Sequence, residues 1–252
     1  MPARRIAIVS HAMMVDRRTL DRGFLAELVA NDIGVIAFDQ RGHGSSRPRV
    51  HEGTSFGYDR LVEDVQAVID WARAKFPTLP ISLVGHSLFA HVSLAHLARH
   101  GTAQIASLVM IGCNVPTFRW SRFNRLRATI LGFDLLSRIF GRFPARALRI
   151  GSEDEPSSYA GDFTRWVLKL KWTARDGFNY EDGIPRIDIP VLGVAGSRDW
   201  LAPATDFARL IETIPAHEFF VVDTDHMGLM LTPNQGWKKI SEFLLRAGRQ
   251  NL

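Results

Sequence analysis

The chain has 252 residues and a single cysteine, Cys113, so no disulfide can form within it. That scarcity fits a reducing compartment, and a cytoplasmic location is expected. Long apolar runs are also missing. No stretch approaches the roughly 18 residues that span a bilayer. The apolar run after Arg4 and Arg5 ends at His11 after about five residues, too few for the core of a signal peptide. Repeats and low-complexity tracts are absent. With 46% hydrophobic residues, 23% charged residues and a net charge of only +5, disorder is excluded. A chain of this length can bury one large core, as one domain with an inserted subdomain or as two domains.

Acidic residues are scarce in one place. Between Thr117 and Arg149 stand Arg119, Arg122, Arg125, Arg127, Arg138, Arg142, Arg146 and Arg149, against Asp134 alone. This stretch carries about +7, which leaves the rest of the chain slightly acidic. It is a local basic surface. No zinc-finger or RNA-recognition signature accompanies it, so a nucleic-acid partner is not expected.

What is present is a regular alternation. Short β-branched runs at Ile6–Val9, Val35–Phe38, Ile81–Val84, Leu108–Ile111, Val191–Ala195 and Phe219–Val222 read as strands. Each is apolar almost throughout, as strands covered by helices on both faces must be. Helical patterns fall between them at Leu20–Ala30, Tyr58–Lys75, Leu88–His100, Ala204–Thr213 and Gln235–Ala247. The fold class is therefore α/β, with a mostly parallel sheet of about six strands. The alternation stops after Ile111 and resumes at Val191. Residues 114–186 read as short helices joined by glycines and prolines, without strands. An inserted helical cap is expected there, with residues 1–113 and 187–252 forming the core.

Gly-x-Ser occurs three times, but only Gly85-His86-Ser87 follows an apolar strand and opens a helix. That context is what a nucleophile elbow requires, because a tight turn lifts the serine above the carboxyl edge of the sheet. A serine hydroxyl needs a base, and the base needs an acidic partner. Asp199 follows the strand Val191–Ala195, and His226 follows the strand Phe219–Val222, so both fall at the edge that carries Ser87. His91, His96 and His100 lie on the helix after the elbow, where packed or solvent-facing roles are expected in place of a metal site. No metal or cofactor is expected, and Cys113 reads as a small core residue.

With these residues in this order, the chain resembles the α/β-hydrolase superfamily over nearly its whole length, in particular the lipase, esterase and serine-aminopeptidase branch. Phe38-Asp39-Gln40-Arg41-Gly42-His43-Gly44-Ser45-Ser46 is similar to that family's D-x-R-G-x-G-x-S loop, which implies structural roles for Asp39 and Arg41. Phe140-Gly141-Arg142-Phe143-Pro144, with Trp166 downstream, resembles the cap of a group of bacterial hydrolases. The resemblance implies an oxyanion hole from the backbone N–H of Leu88, which follows the nucleophile, and that of Met13. Three departures stand out. Ala12 replaces a glycine, Phe89 replaces the last glycine of G-x-S-x-G, and the chain begins at what matches the family's third strand.

The reading is a serine hydrolase in which Ser87, Asp199 and His226 act on a carboxylic ester with an apolar acyl group through an acyl-enzyme. His11, Trp120 and Phe123 are expected to line the substrate pocket. Trp120, Phe123, Leu126 and Ile130 recur at helical spacing beside arginines, which predicts an amphipathic cap helix able to associate weakly with an anionic membrane surface. The alternatives are other acyl transfer at the same site (peptidase, thioesterase or acyltransferase chemistry) and a non-catalytic homologue that binds a partner. Dehalogenase and epoxide-hydrolase chemistry is disfavoured, since both place aspartate where this chain has Ser87. The sequence leaves the oligomeric state open.

Overall fold

The computed structural model describes residues 3–115 and 125–247. Six parallel strands form one sheet: β1 (Arg5–Ser10), β2 (Ile33–Ala37), β3 (Ile81–His86), β4 (Ser107–Ile111), β7 (Val191–Gly196) and β8 (His217–Val222). Their order is β2-β1-β3-β4-β7-β8. The four inner strands are buried along their whole length, which explains their lack of polar alternation. Five helices cover the sheet: α1 (Phe24–Ala30), α2 (Tyr58–Lys75), α3 (Leu88–His100), α6 (Ala204–Ile211) and α8 (Gln235–Ala247). Two apolar clusters follow, one on each face. One gathers α2, α3 and α6; the other gathers α1 and α8.

Between β4 and β7 the chain leaves the sheet. Here the expectation of short helices without strands is corrected. Helices α4 (Arg125–Phe140) and α5 (Ser157–Lys169) have 16 and 13 residues, and two short strands, β5 (Arg142–Phe143) and β6 (Glu155–Pro156), pair antiparallel. The strands escaped a sequence reading because two-residue ladders carry no period. A four-residue helix α7 (Gly228–Leu231) follows β8.

The segment between β4 and β7 shares the first cluster with the core. Tyr58 at the start of α2 meets the rings of His91, Phe163, Trp166 and Tyr180 at centroid distances of 4.8–6.2 Å. Asp162 of α5 accepts the Tyr58 N–H at 3.0 Å, so a carboxylate from the insertion caps the N-terminus of a core helix. It also accepts the Arg175 guanidinium. His91 takes a hydrogen bond from the Tyr58 hydroxyl, and burial pushes its pKa down to about 3. His96 is engaged with the Val62 carbonyl.

Phe89, where the elbow pattern has glycine, is buried in the core and meets Phe38 edge to face at 5.2 Å. The close contact that the elbow needs is carried by Gly85 instead. A β-carbon there would lie 2.3 Å from the Ala90 nitrogen. Phe89→Ala should leave a cavity and cost about 3–5 kcal/mol. Reversible urea unfolding would measure it, and a loss below about 1 kcal/mol would show that the ring fills no needed space.

Candidate active site

The carboxyl edge of the sheet brings the candidate residues together. The order in which successive strands are added to the sheet reverses between β1 and β3, and the crevice at such a point is where open α/β sheets bind ligands. Ser87 stands in it, one residue past β3, with φ 51° and ψ −106°. A positive φ at a residue with a β-carbon is strained, and it persists because α3 packs so closely on Gly85. The Ser87 N–H is fixed to the Ile111 carbonyl at 2.8 Å.

Asp199 and His226 arrive from β7 and β8. The Asp199 Oδ1 accepts the backbone N–H groups of Leu201 and Ala202, both at 2.9 Å, while Oδ2 accepts His226 Nδ1–H at 2.7 Å. The carboxylate is thus locked from one side and orients the ring from the other. Asp225, the neighbouring acid, turns away and accepts the Gly228 N–H. A β-carbon at Gly112, the residue after Ile111, would lie 3.3 Å from both Asp199 Oδ2 and His226 Cε1, which places the pair beside the strand end that holds Ser87. His86 is fully buried, lies tilted against His226 with ring centroids 4.9 Å apart, and engages the His226 carbonyl through Nε2 at 3.1 Å. Burial, followed by the neighbouring His226, keeps the His86 pKa well below its usual value, so the ring is neutral and donates from Nε2. Among the described residues no hydrogen bond joins the Ser87 hydroxyl to His226.

Two backbone N–H groups at the carboxyl ends of β3 and β1 have no acceptor among the described residues. Leu88 is the first residue of α3, so its N–H has no intrahelical partner. Met13 lies in the turn after β1. Cys113 is buried, and burial drives its thiol pKa far upward, which leaves it inert. Among the described residues no group of three His, Cys, Asp or Glu side chains could hold a metal ion.

Residues 2–227 match the family described as serine aminopeptidase, S33. The chain belongs to this family of α/β hydrolases. Among relatives, a non-heme chloroperoxidase of Kitasatospora aureofaciens is 25% identical over 218 residues, 79% of this chain and 76% of that protein. Monoglyceride lipase of Mus musculus is 28% identical over 196 residues, 72% of this chain and 61% of that one. Among solved structures, an esterase of Thermogutta terrifontis superposes with a TM-score of 0.68 at 18% identity, covering 98% of this chain and 92% of its own. An esterase of Exiguobacterium antarcticum gives 0.66 at 19% identity, with 99% and 94% covered.

In this hydrolase His11 is placed differently from the expectation. It is fully buried, accepts the Gln40 N–H at Nε2 (3.1 Å), and donates from Nδ1 to the Ala12 carbonyl (2.8 Å). Both nitrogens are spent on bracing two loops, which leaves none for a substrate. Burial, then the charge of nearby His43, lowers its pKa to about 4, so it is neutral. Trp120 and Phe123 lie outside the described residues, as do Arg119 and Arg122. Asp39 holds its loop together by accepting the N–H groups of Arg17 and Ser45, both at 2.8 Å, and Arg41 pairs with Asp64. No helix among the described residues is long and apolar enough to cross a membrane. An open cleft of about 460 Å³ at the start of α2, bounded by Arg41, Phe56, Asp59, Arg60 and Arg175, shares no residue with the Ser87 crevice.

The sequence reading missed one pair altogether. His43 and Glu155, both fully buried, meet at 3.1 Å. The other His43 nitrogen faces the Arg41 carbonyl at 2.9 Å. Both ring nitrogens therefore face acceptors, which calls for a doubly protonated ring. Burial opposes that charge, but Glu155 overcomes it and raises the His43 pKa to about 9. Nothing in the sequence signalled the pair, because 112 positions separate its members. The sign of its pH dependence follows from the raised pKa. The contribution of His43 to stability is complete below about 6.5 and is lost as pH rises through about 9. Denaturant unfolding from about pH 7 to 9.5 should show a stability loss larger in the parent than in His43→Gln. Equal profiles would show that His43 is not held charged.

Proposed function

We propose that this hydrolase cleaves a carboxylic ester with an apolar acyl group through an acyl-enzyme on Ser87. The observation that carries the reading is the 2.7 Å bond from His226 to a twice-anchored Asp199, at the strand edge where strain holds Ser87. The Asp199 bond puts the imidazole proton on Nδ1, which leaves Nε2 as the base. In the first step Nε2 takes the Ser87 hydroxyl proton while Oγ bonds to the ester carbonyl carbon. The oxyanion that forms is received by the N–H groups of Leu88 and Met13. Collapse expels the alkoxide, which takes the proton back from His226 as the alcohol leaves. Water then repeats the sequence and frees the acid and Ser87. Esterases among the structural neighbours and a monoglyceride lipase among the relatives favour esters over the alternative acyl donors, peptides and thioesters.

Ser87→Ala should abolish labelling by a fluorophosphonate probe and lower kcat on a p-nitrophenyl ester by about 10⁴-fold or more. Asp199→Asn should cost about 10⁴-fold by favouring the wrong His226 tautomer. An unlabelled parent, or a Ser87→Ala enzyme as active as the parent, overturns the reading. The same outcome would favour the non-catalytic binding homologue.

A second feature of the cap concerns where the substrate comes from. Leu131, Leu135 and Ile139 recur at four-residue spacing along α4, and all are exposed; Phe140, Leu148 and Ile150, further along the chain, are exposed as well. Arg138, Arg146 and Arg149 are exposed in the same stretch of chain, and few acids offset them. An apolar stripe with a basic rim fits an anionic bilayer, where each arginine contributes about 1 kcal/mol that salt screens. Binding to vesicles of phosphatidylglycerol and phosphatidylcholine should be strong at low salt and mostly lost at high salt. The double variant Leu135→Ser with Ile139→Ser should bind several-fold more weakly yet keep its activity on a soluble ester. Vesicle binding that ignores both salt and these substitutions removes the interfacial reading.

A further inference from the structure

The buried carboxylate of Glu155 does more than pair with His43. Its other oxygen accepts the backbone N–H of Met14, the residue after the N–H assigned to the oxyanion. Two further contacts fix the same turn. The Glu153 N–H donates to the Met14 carbonyl at 3.1 Å, and a β-carbon on Gly151 would lie 2.3 Å from that carbonyl. Met14 itself has φ 62°, a conformation that a residue with a β-carbon adopts only when its surroundings impose it. The strand that supplies Glu155 belongs to the insertion, while Met14 and His43 belong to loops of the core.

We propose that Glu155 is a positioning residue for catalysis, holding the turn after β1 so that the Met13 N–H points into the Ser87 crevice. The proposal rests on the triad reading above and adds a role for the insertion. A peptide N–H that must meet a developing oxyanion within tenths of an ångström cannot be left on a free loop. Here the next residue is clamped on both sides, its N–H by the Glu155 carboxylate and its carbonyl by the Glu153 N–H. His43 holds the carboxylate in place from the opposite side, and its own Nδ1–H is anchored on Arg41. The groups that face this pair are His11, 5.4 Å away between ring centroids, Asp39 beyond His11, Glu153 on the same strand approach, and Tyr159 of α5. None of these four is a cation, so His43 alone among the groups about Glu155 holds the carboxylate by charge.

Three variants of the full-length enzyme test this on a soluble p-nitrophenyl ester. Glu155→Ala removes the acceptor from Met14 and should lower kcat by about 10²- to 10³-fold, the range for loss of one oxyanion donor. KM should stay within about threefold, because the substrate pocket is untouched. Glu155→Gln keeps an oxygen for Met14 and an N–H for a neutral His43, and should recover most of the lost kcat. Glu155→Asp keeps the charge beside His43 but shortens the reach, so it should lose kcat about tenfold without a change in KM; it decides the matter if the alanine variant does not fold. Folded alanine and aspartate variants with parental kcat, or variants in which only KM rises, overturn the proposal while leaving the triad reading intact. A parent that neither hydrolyses the ester nor reacts with a fluorophosphonate overturns the triad reading, and with it any role for Glu155.

Discussion

Everything at the candidate site hangs on how closely α3 approaches β3. Gly85 gives up its side chain so that the Ala90 backbone can sit where a β-carbon would be. The turn between strand and helix then has one residue in which to reverse, and Ser87 takes a positive φ to do it. The register of the sheet does the rest. His86 pairs with Ile111, so the loops after β3 and β4 leave the sheet at one level, while β7 runs two residues past Val194, the partner of Ile111. The loop after β8 joins them through Gly196 and Val222. A serine, a histidine and an aspartate that stand 27 to 139 positions apart in sequence are thereby presented to one crevice.

The same approach explains why Phe89 is tolerated where the family pattern has glycine. It is the Ala90 and Phe89 backbone that crowds Gly85, while the Phe89 ring is buried against Phe38, just past β2, edge to face. The glycine that cannot be replaced is the one before the serine. A departure from a motif therefore has to be weighed position by position, according to which atom makes the close contact.

How much of this the sequence disclosed depends on the range of the interaction. The six strands, and helices such as Tyr58–Lys75 and Leu88–His100, were legible because a buried strand and a half-buried helix each impose a period on their own residues. Ser87, Asp199 and His226 were legible because each follows a strand of a parallel sheet, and such strands all end at one edge. The insertion was not legible beyond its presence. Its two short strands impose no period, Trp166 and Phe163 pack on Tyr58 and His91, and Tyr159 packs on Phe56 and Phe163, neighbours that the sequence gives no reason to place beside them. The His11 reading failed for a related reason. A histidine after a strand end looks the same in sequence whether its ring faces a pocket or, as here, the Gln40 backbone.

These contacts divide the insertion into two unequal parts. Tyr159, Trp166 and Trp172 are fully buried against the core, and withdrawing each from water contributes on the order of 2–3 kcal/mol. Asp162 caps α2, and Glu155 is buried between core loops. Swinging the whole insertion away from the sheet would expose all of these at once and leave buried charges unpaired, a cost far above thermal energy. The outer face of α4 differs, since Leu131, Leu135 and Ile139 are exposed there while its buried face meets α5 and β5. The insertion is therefore anchored through β6 and α5 as an extension of the core.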